Sequence, residues 1–174
     1  MKILLTGADG QLGQSLQKSK PEFIELFSLN KNNFNLQEQE KCRRIIQEIR
    51  PKWIINCAAY TNVDKAEKEY HLAHKINTIA PDFLTQYIDE IEGRMLHIST
   101  DYVFDGKKKK PYQIFDKTNP INNYGLTKAK GEEKLIAAKN NIILRTRRLN
   151  GDIIVFNSFH SKLKDYVETS LQNS

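Results

Sequence analysis

A doubly wound parallel α/β sheet flanked by helices is the fold this sequence predicts. Two observations carry that expectation. Strand-like and helix-like segments alternate along most of the chain, and three glycines follow directly on the first strand-like run. Alternation implies parallel strands joined by right-handed helical crossovers. Such sheets bind ligands at the carboxyl ends of their strands.

Lys2–Thr6 is a short apolar run suited to a buried parallel strand. Gly7, Gly10 and Gly13 come next, at a spacing of three and three. Glycine permits a tight strand-to-helix turn and lets a pyrophosphate approach the backbone. The free N–H groups opening the next helix suit the same anion. A second strand is expected over Phe23–Leu29. A helix follows over about Gln37–Ile49, with Cys42, Ile45, Ile46 and Ile49 on one face and Pro51 marking its end. Trp53–Cys57 reads as the third strand. A long helical segment is expected from about Val63 through Ile88, with a break near Pro81. Met95–Ser99 forms the fourth strand, the helix of Tyr124 and Lys128 runs to about Ala138, and Ile142–Leu144 forms the fifth strand.

Three polar stretches fall at one edge of this sheet: Gly7–Gly13, Ala58–Thr61 and Ser99–Tyr102. Tyr124 and Lys128 stand four residues apart and share a helix face. An ammonium beside a phenol favours the phenolate, so Lys128 is expected to lower the Tyr124 pKa and make it a usable proton donor. The Thr100 hydroxyl could hold a carbonyl oxygen beside it. That combination suits hydride chemistry at a carbon bearing oxygen. The second strand ends at Asn30-Lys31, where a site preferring NAD often places an acid for the ribose 2′-hydroxyl. A neutral residue followed by a cation tilts the expectation toward NADPH, with NADH as the alternative.

The chain has 174 residues, enough for one domain with a core. No long apolar span or linker interrupts it, and the apolar start stops at Gly7, too early for a signal peptide. Two cysteines, Cys42 and Cys57, make no disulfide framework, and a reducing cytoplasm fits. No Cys/His cluster has metal-ligand spacing, so no metal is expected. The net charge is +6, and Lys107–Lys110 form a basic run. Without interleaved aromatics or a known module it reads as a solvated loop, and neither nucleic acid nor membrane is expected as a partner.

The chain resembles the dTDP-4-dehydrorhamnose reductase family, extended short-chain dehydrogenases with a Rossmann-like fold. The resemblance is carried by Ile3–Gly13, with its G-x-x-G-x-x-G triplet, and by Asn56-Cys57-Ala58-Ala59-Tyr60-Thr61-Asn62-Val63-Asp64-Lys65-Ala66-Glu67. It continues in His97-Ile98-Ser99-Thr100-Asp101-Tyr102-Val103-Phe104-Asp105-Gly106 and Asn123-Tyr124-Gly125-Leu126-Thr127-Lys128. It implies NADPH-dependent reduction of dTDP-4-dehydro-β-L-rhamnose to dTDP-L-rhamnose, with Thr100, Tyr124 and Lys128 catalytic. Tyr124 would protonate the C4 oxygen, Thr100 would bond it, and Lys128 would also hold the nicotinamide ribose. Gly7, Gly10, Gln11, Leu12 and Gly13 would form the pyrophosphate turn. Asn30 and Lys31 would meet the adenosine ribose, and Asn35 and Leu36 the adenine. Ala58, Ala59 and Tyr60 would line the nicotinamide side, and Thr61 and Asp101 the sugar. Asp64 and Glu67 are expected to cap or solvate a helix, and His97 to be a core residue of its strand.

After Thr146 the family usually continues Ser-Trp-Val-Tyr-Gly, whereas this chain reads Arg147-Arg148-Leu149-Asn150-Gly151. Residues 1–146 are therefore expected to form the cofactor domain and 147–174 a divergent tail. Within it, Ile153–Phe156 could form a strand, and Phe159, Leu163, Tyr166 and Val167 have helical spacing. The C-terminal substrate-binding region of the family is expected to be missing, and a frameshift near Thr146 would explain that. A non-catalytic NADP-binding regulatory subunit, like that of methionine adenosyltransferase, or a truncated reductase remnant is the alternative reading. A homo-oligomer stays open.

Overall fold

The computed structural model describes residues 1–138 and 141–146. The tail expectations, the strand at Ile153–Phe156 and the helix of Phe159, Leu163, Tyr166 and Val167, lie outside the described residues. Five parallel strands form one sheet in the order β2-β1-β3-β4-β5. They are β1 (Lys2–Thr6), β2 (Glu25–Leu29), β3 (Trp53–Asn56), β4 (Arg94–Thr100) and β5 (Asn141–Thr146). The order reverses between β1 and β3, so the crevice between their carboxyl ends is the topological switch point. This is the Rossmann-like doubly wound architecture that the alternation predicts.

Strand alternation builds two apolar layers. Leu4, Ile54 and Met95 face α2 (Gln39–Ile49), α5 (Ala80–Asp89) and α6 (Asn123–Ile136), where they meet Cys42, Ile46, Leu84, Ile88 and Leu135. Ile3, Leu5, Trp53, Ile55 and Leu96 face the other way, against Leu16 of α1 (Gln11–Lys18). The second strand starts two residues later than its apolar run suggests, because Ile24 sits in a turn with its N–H on the Pro21 carbonyl.

The long helix expected over Val63–Ile88 is divided. It becomes α3 (Val63–Ala66), α4 (Tyr70–His74), a π turn over Lys75–Ile79, and α5. The first interruption, absent from the expectation, has a tertiary cause. Glu67 turns its carboxylate to the start of α6, accepting from the Asn123 backbone N–H at 2.8 Å and from its side-chain amide at 3.0 Å. The expected break near Pro81 is a change of helix type, where the π turn ends at Ile79 and α5 begins at Ala80 with Pro81 in its first turn. Pro81 has no N–H to give the Asn77 carbonyl, and the chain widens by one residue so that the Ala80 N–H reaches the Lys75 carbonyl.

The freed Asn77 carbonyl faces Gly131 of α6, where a methyl group would overlap it. A methyl on Gly125 would likewise overlap the Tyr102 carbonyl. These close approaches press α6 against β4 and the π turn. We expect Gly131→Ala to destabilise the protein by about 2 kcal/mol, read as a lowered midpoint in urea denaturation followed by circular dichroism; an unchanged midpoint would contradict this packing.

Candidate active site

The glycine turn comes first along the chain. Gly7 is left-handed at φ +67°, and its Cα lies so near Cys57 and Ala58 that a Cβ would come within 2.7 Å of the Ala58 nitrogen. A methyl on Gly13 would overlap the Gly7 carbonyl and crowd Ala8. The turn is therefore bare backbone. Gly10 caps α1 and brings no side-chain acceptor to its first N–H groups. That arrangement fits the pyrophosphate of a dinucleotide, held by the N–H groups opening α1 at Gln11 and Leu12.

At the end of β2, Asn30 and Lys31 stand at the same edge. Asn30 donates from its side chain to Asp9 at 3.4 Å. The neutral strand end that favoured NADPH in the sequence thus has a carboxylate brought to it from the glycine turn. Asn35 opens a turn into α2, accepting from the Gln37 N–H at 3.1 Å and donating to Glu38 at 2.9 Å. The Leu36 side chain is buried in the core with Phe34 and Cys42, so only its backbone is left for an adenine.

After β3, residues Ala58–Thr61 are tied down by a residue the sequence reading passed over. Asn77 accepts from the Tyr60 N–H at 2.9 Å, and its amide donates to the Tyr60 carbonyl at 3.0 Å and to the Thr127 hydroxyl at 3.1 Å. Thr127 in turn bonds the Tyr124 carbonyl at 2.9 Å. One buried amide therefore holds the Ala58–Tyr60 loop against α6. The Tyr60 hydroxyl donates to Glu69 at 2.7 Å, and Thr61 stays exposed beside it.

The strand β4 ends at Thr100, where a 3-10 turn over Asp101–Val103 begins. Thr100 is buried, accepts from the Tyr102 N–H at 3.2 Å, and points its hydroxyl to Asp101 at 3.3 Å. It also hydrogen-bonds the Tyr124 phenol. Tyr102 packs edge-on against the Tyr124 ring at 5.5 Å. Tyr124 stands in the first turn of α6, whose start is secured by Asn122 accepting from the Gly125 N–H at 2.7 Å and by Glu67. The structure thus brings Thr100, Asp101 and Tyr124 to one place, with Lys128 one turn further along α6.

Lys128 departs from expectation. It is 1% exposed. Its Nζ donates to the Ile98 carbonyl at 2.6 Å and lies 3.0 Å from His97 Nε2. It is not among the groups that shift the phenol. Burial pushes the Tyr124 phenol above its ordinary value, the Thr100 hydrogen bond opposes that, and Asp101 and Tyr102 add to it. The expected lowering by Lys128 is thus corrected: Tyr124 is a protonated phenol at neutral pH, ready to give a proton. Burial brings Lys128 itself down to about 8, against opposing pulls from Glu132 and Cys57.

His97 is a core residue, as expected, but a connected one. Its Nδ1 lies 3.0 Å from the Asn56 amide nitrogen, and Asn56 accepts from the Thr6 hydroxyl at 2.7 Å. Thr6, Asn56, His97 and Lys128 are all buried and cross the sheet from β1 to α6. Polar residues inside apolar strand runs were the signal for this chain. Neither cysteine is bonded, and among the described residues no cluster of His, Cys, Asp or Glu is placed to hold a metal. Lys107–Lys110 are exposed, with Lys108 paired to Asp116. Among the described residues no helix is long and apolar enough to cross a membrane.

The family model described as the RmlD substrate binding domain matches residues 1–170. The chain belongs to this family. The dTDP-4-dehydrorhamnose reductase of Burkholderia thailandensis is 35% identical over 175 residues, covering 99% of this chain and 55% of that protein. The solved dTDP-4-dehydrorhamnose reductase of Clostridium acetobutylicum superposes with a TM-score of 0.84 at 42% identity, over 87% of this chain and 55% of that one. That of Bacillus anthracis, solved in complex with NADP, gives 0.82 at 34% identity, over 92% and 60%. The chain spans about half the length of the curated relatives it matches. The RmlD family match continues beyond Thr146, into the stretch that departs from the expected wording.

The depressed Lys128 gives a test of the site's electrostatics. Its folded value of about 8 lies below the 10.5 of an ordinary lysine. Between these values the unfolded chain binds more protons, so stability rises with pH. We expect the unfolding free energy of the native chain, minus that of Lys128→Met, to increase by about 3 kcal/mol from pH 8 to 10.5. Denaturant titrations across that range check it, and a flat difference contradicts a depressed Lys128.

Proposed function

We propose that this chain carries the cofactor and proton-donating half of an NADPH-dependent dTDP-4-dehydrorhamnose reductase, which converts dTDP-4-dehydro-β-L-rhamnose to dTDP-L-rhamnose. The observation that carries the reading is the placement of Tyr124 in the first turn of α6, edge-on to Tyr102 at the carboxyl end of β4 where Thr100 stands, and one helical turn from Lys128. The names of the relatives supply the substrate. The bare glycine turn and the Bacillus relative's NADP support the cofactor, with NADH as the alternative.

When bound, NADPH supplies the hydride for C4 of the sugar. Gly7, Gly10 and Gly13 leave room for the pyrophosphate, and the Gln11 and Leu12 N–H groups bind it. Asn30 and Lys31 meet the adenosine ribose, with Asn35 and the Leu36 backbone beside the adenine. Ala58, Ala59 and Tyr60 border the nicotinamide, and Lys128 binds its ribose. Thr100 orients the C4 oxygen, Tyr124 gives it a proton, and Thr61 and Asp101 flank the sugar. We assign the cofactor domain to residues 1–146 and the divergent tail to 147–174. The proposed partner is a nucleotide sugar, and the proposed compartment the cytoplasm.

NADPH oxidation with enzymatically generated dTDP-4-dehydro-β-L-rhamnose tests this. Turnover should fall at least about a hundredfold in Tyr124→Phe while NADPH binding is kept. Equal turnover in that variant would remove Tyr124 from the chemistry. NADPH binding without any turnover would favour the regulatory-subunit or remnant reading. Asp9 makes a second test, because its carboxylate opposes a ribose 2′-phosphate near Asn30. Asp9→Asn should strengthen NADPH binding relative to NADH by about tenfold, one charge contact's worth, in fluorescence titrations; an unchanged ratio places the phosphate elsewhere.

A further inference from the structure

The buried chain Thr6–Asn56–His97–Lys128 allows only certain placements of its protons. The Asn56 oxygen faces two donors, the Thr6 hydroxyl at 2.7 Å and the Ala58 backbone N–H at 3.2 Å. The first distance is typical of O–H donating to oxygen, and the second suits an oxygen opposite the N–H, which also reaches the Thr6 hydroxyl oxygen at 3.4 Å. The Asn56 amide nitrogen is therefore the atom that faces His97 Nδ1, at 3.0 Å. An amide nitrogen only donates, so Nδ1 accepts. A neutral imidazole with an accepting Nδ1 carries its proton on Nε2. That N–H points at Lys128 Nζ, 3.0 Å away. An ammonium has no lone pair to receive it, and an uncharged amine does. The amine keeps two hydrogens, one of which goes to the Ile98 carbonyl.

We propose that His97 is a positioning residue for Lys128, holding its uncharged form as an amine that accepts from His97 Nε2–H. Charging Lys128 in place reverses the chain. One proton enters from solvent onto Nζ, the His97 proton moves from Nε2 to Nδ1, and the Asn56 amide turns over, leaving the Ala58 N–H with the Thr6 hydroxyl oxygen at 3.4 Å as its acceptor. The Thr6 hydroxyl and Ala58 N–H lie beside Gly7, at the mouth of the glycine turn. Lys128 protonation is thereby coupled to the edge that would meet the cofactor. The functional consequence rests on the reductase reading; the proton placement does not.

Among the other titratable groups around Lys128, Glu132 favours the charged form, and burial outweighs it. Cys57, after β3, is a thiol pushed up to about 12 by burial and offers no anion. Glu132, one turn along α6, is buried but engaged by Arg145 of β5 at 3.0 and 3.1 Å from Nε. Tyr124, one turn back, is a protonated phenol, and Asp101 beyond β4 acts on that phenol. Burial holds His97 well below the ordinary histidine range, so the imidazole is neutral. Burial lowers Lys128 in the same sense.

Nitrogen-15 NMR of the unliganded chain at pH 7 to 9 tests the proposal directly. Above about pH 8 His97 should show the neutral Nε2–H tautomer while the Lys128 Nζ and Cε shifts report the uncharged amine, and both should change together below it. An Nδ1–H tautomer at pH 9, or a Lys128 charged through pH 9, overturns it. His97→Gln places a carbonyl oxygen within reach of Nζ, which accepts from an ammonium. The Lys128 titration should then move up by at least one unit, about tenfold in the protonation constant; an unmoved titration removes His97 from the role. Should that variant not fold, the wild-type tautomer decides. Because these readouts need neither cofactor nor turnover, a failed reductase assay leaves them intact. In a competent enzyme, NADPH affinity should break near pH 8 in the native chain and at higher pH in His97→Gln.

Discussion

A lysine amine buried between a helix and a parallel sheet is the constraint on which the rest of this site depends. Lys128 sits under α6, its side chain buried. A buried charge without partners is costly, and the usual response is to neutralise or to pair it. Here the partners are the Ile98 carbonyl and His97. To reach them, α6 must lie close on β4. That approach requires Gly125 and Gly131 where side chains would strike the Tyr102 and Asn77 carbonyls.

The same closeness explains the irregular chain between β3 and α5. The π turn presents the Asn77 carbonyl to Gly131 and the Asn77 side chain to the Ala58–Tyr60 loop. Thr78 adds a hydrogen bond to the Thr127 carbonyl at 2.8 Å. Pro81, which would otherwise clash in a continuous α-helix, is accommodated by the widening. Glu67 leaves its own short helix to cap α6. Irregular turns, each satisfying a polar group of another element, are how the loop at the switch point and the helix of Tyr124 become one rigid edge.

On the far side of the site, Asp105 organises the segment that follows the 3-10 turn. It accepts from the Tyr112 hydroxyl at 2.7 Å and from Asn119 at 3.0 Å, and these bonds with the Lys107 N–H hold its carboxyl down to about 2. Phe104 stacks on Tyr112 at 4.1 Å, and the Arg145 guanidinium lies over Phe104. The basic run Lys107–Lys110 therefore sits on a loop with its own polar anchor. Ile114 and Phe115 remain exposed at its tip.

The sequence by itself determined the strand count and their alternation with helices, because apolar runs bounded by Gly, Pro and polar residues are local signals. It also determined the glycine turn and the Tyr124–Lys128 helix face, which are properties of spacing. Only the tertiary structure decided the divided helix, since Glu67 and Asn77 act on partners 56 and 50 residues away. It likewise decided the state of Tyr124 and Lys128. Spacing put them on one face, but burial and hydrogen bonding set their protons, and those depend on strands β1, β3 and β4 meeting beneath α6. Asn56 and His97 read as strand residues in sequence; only their crossing of the sheet makes them a chain.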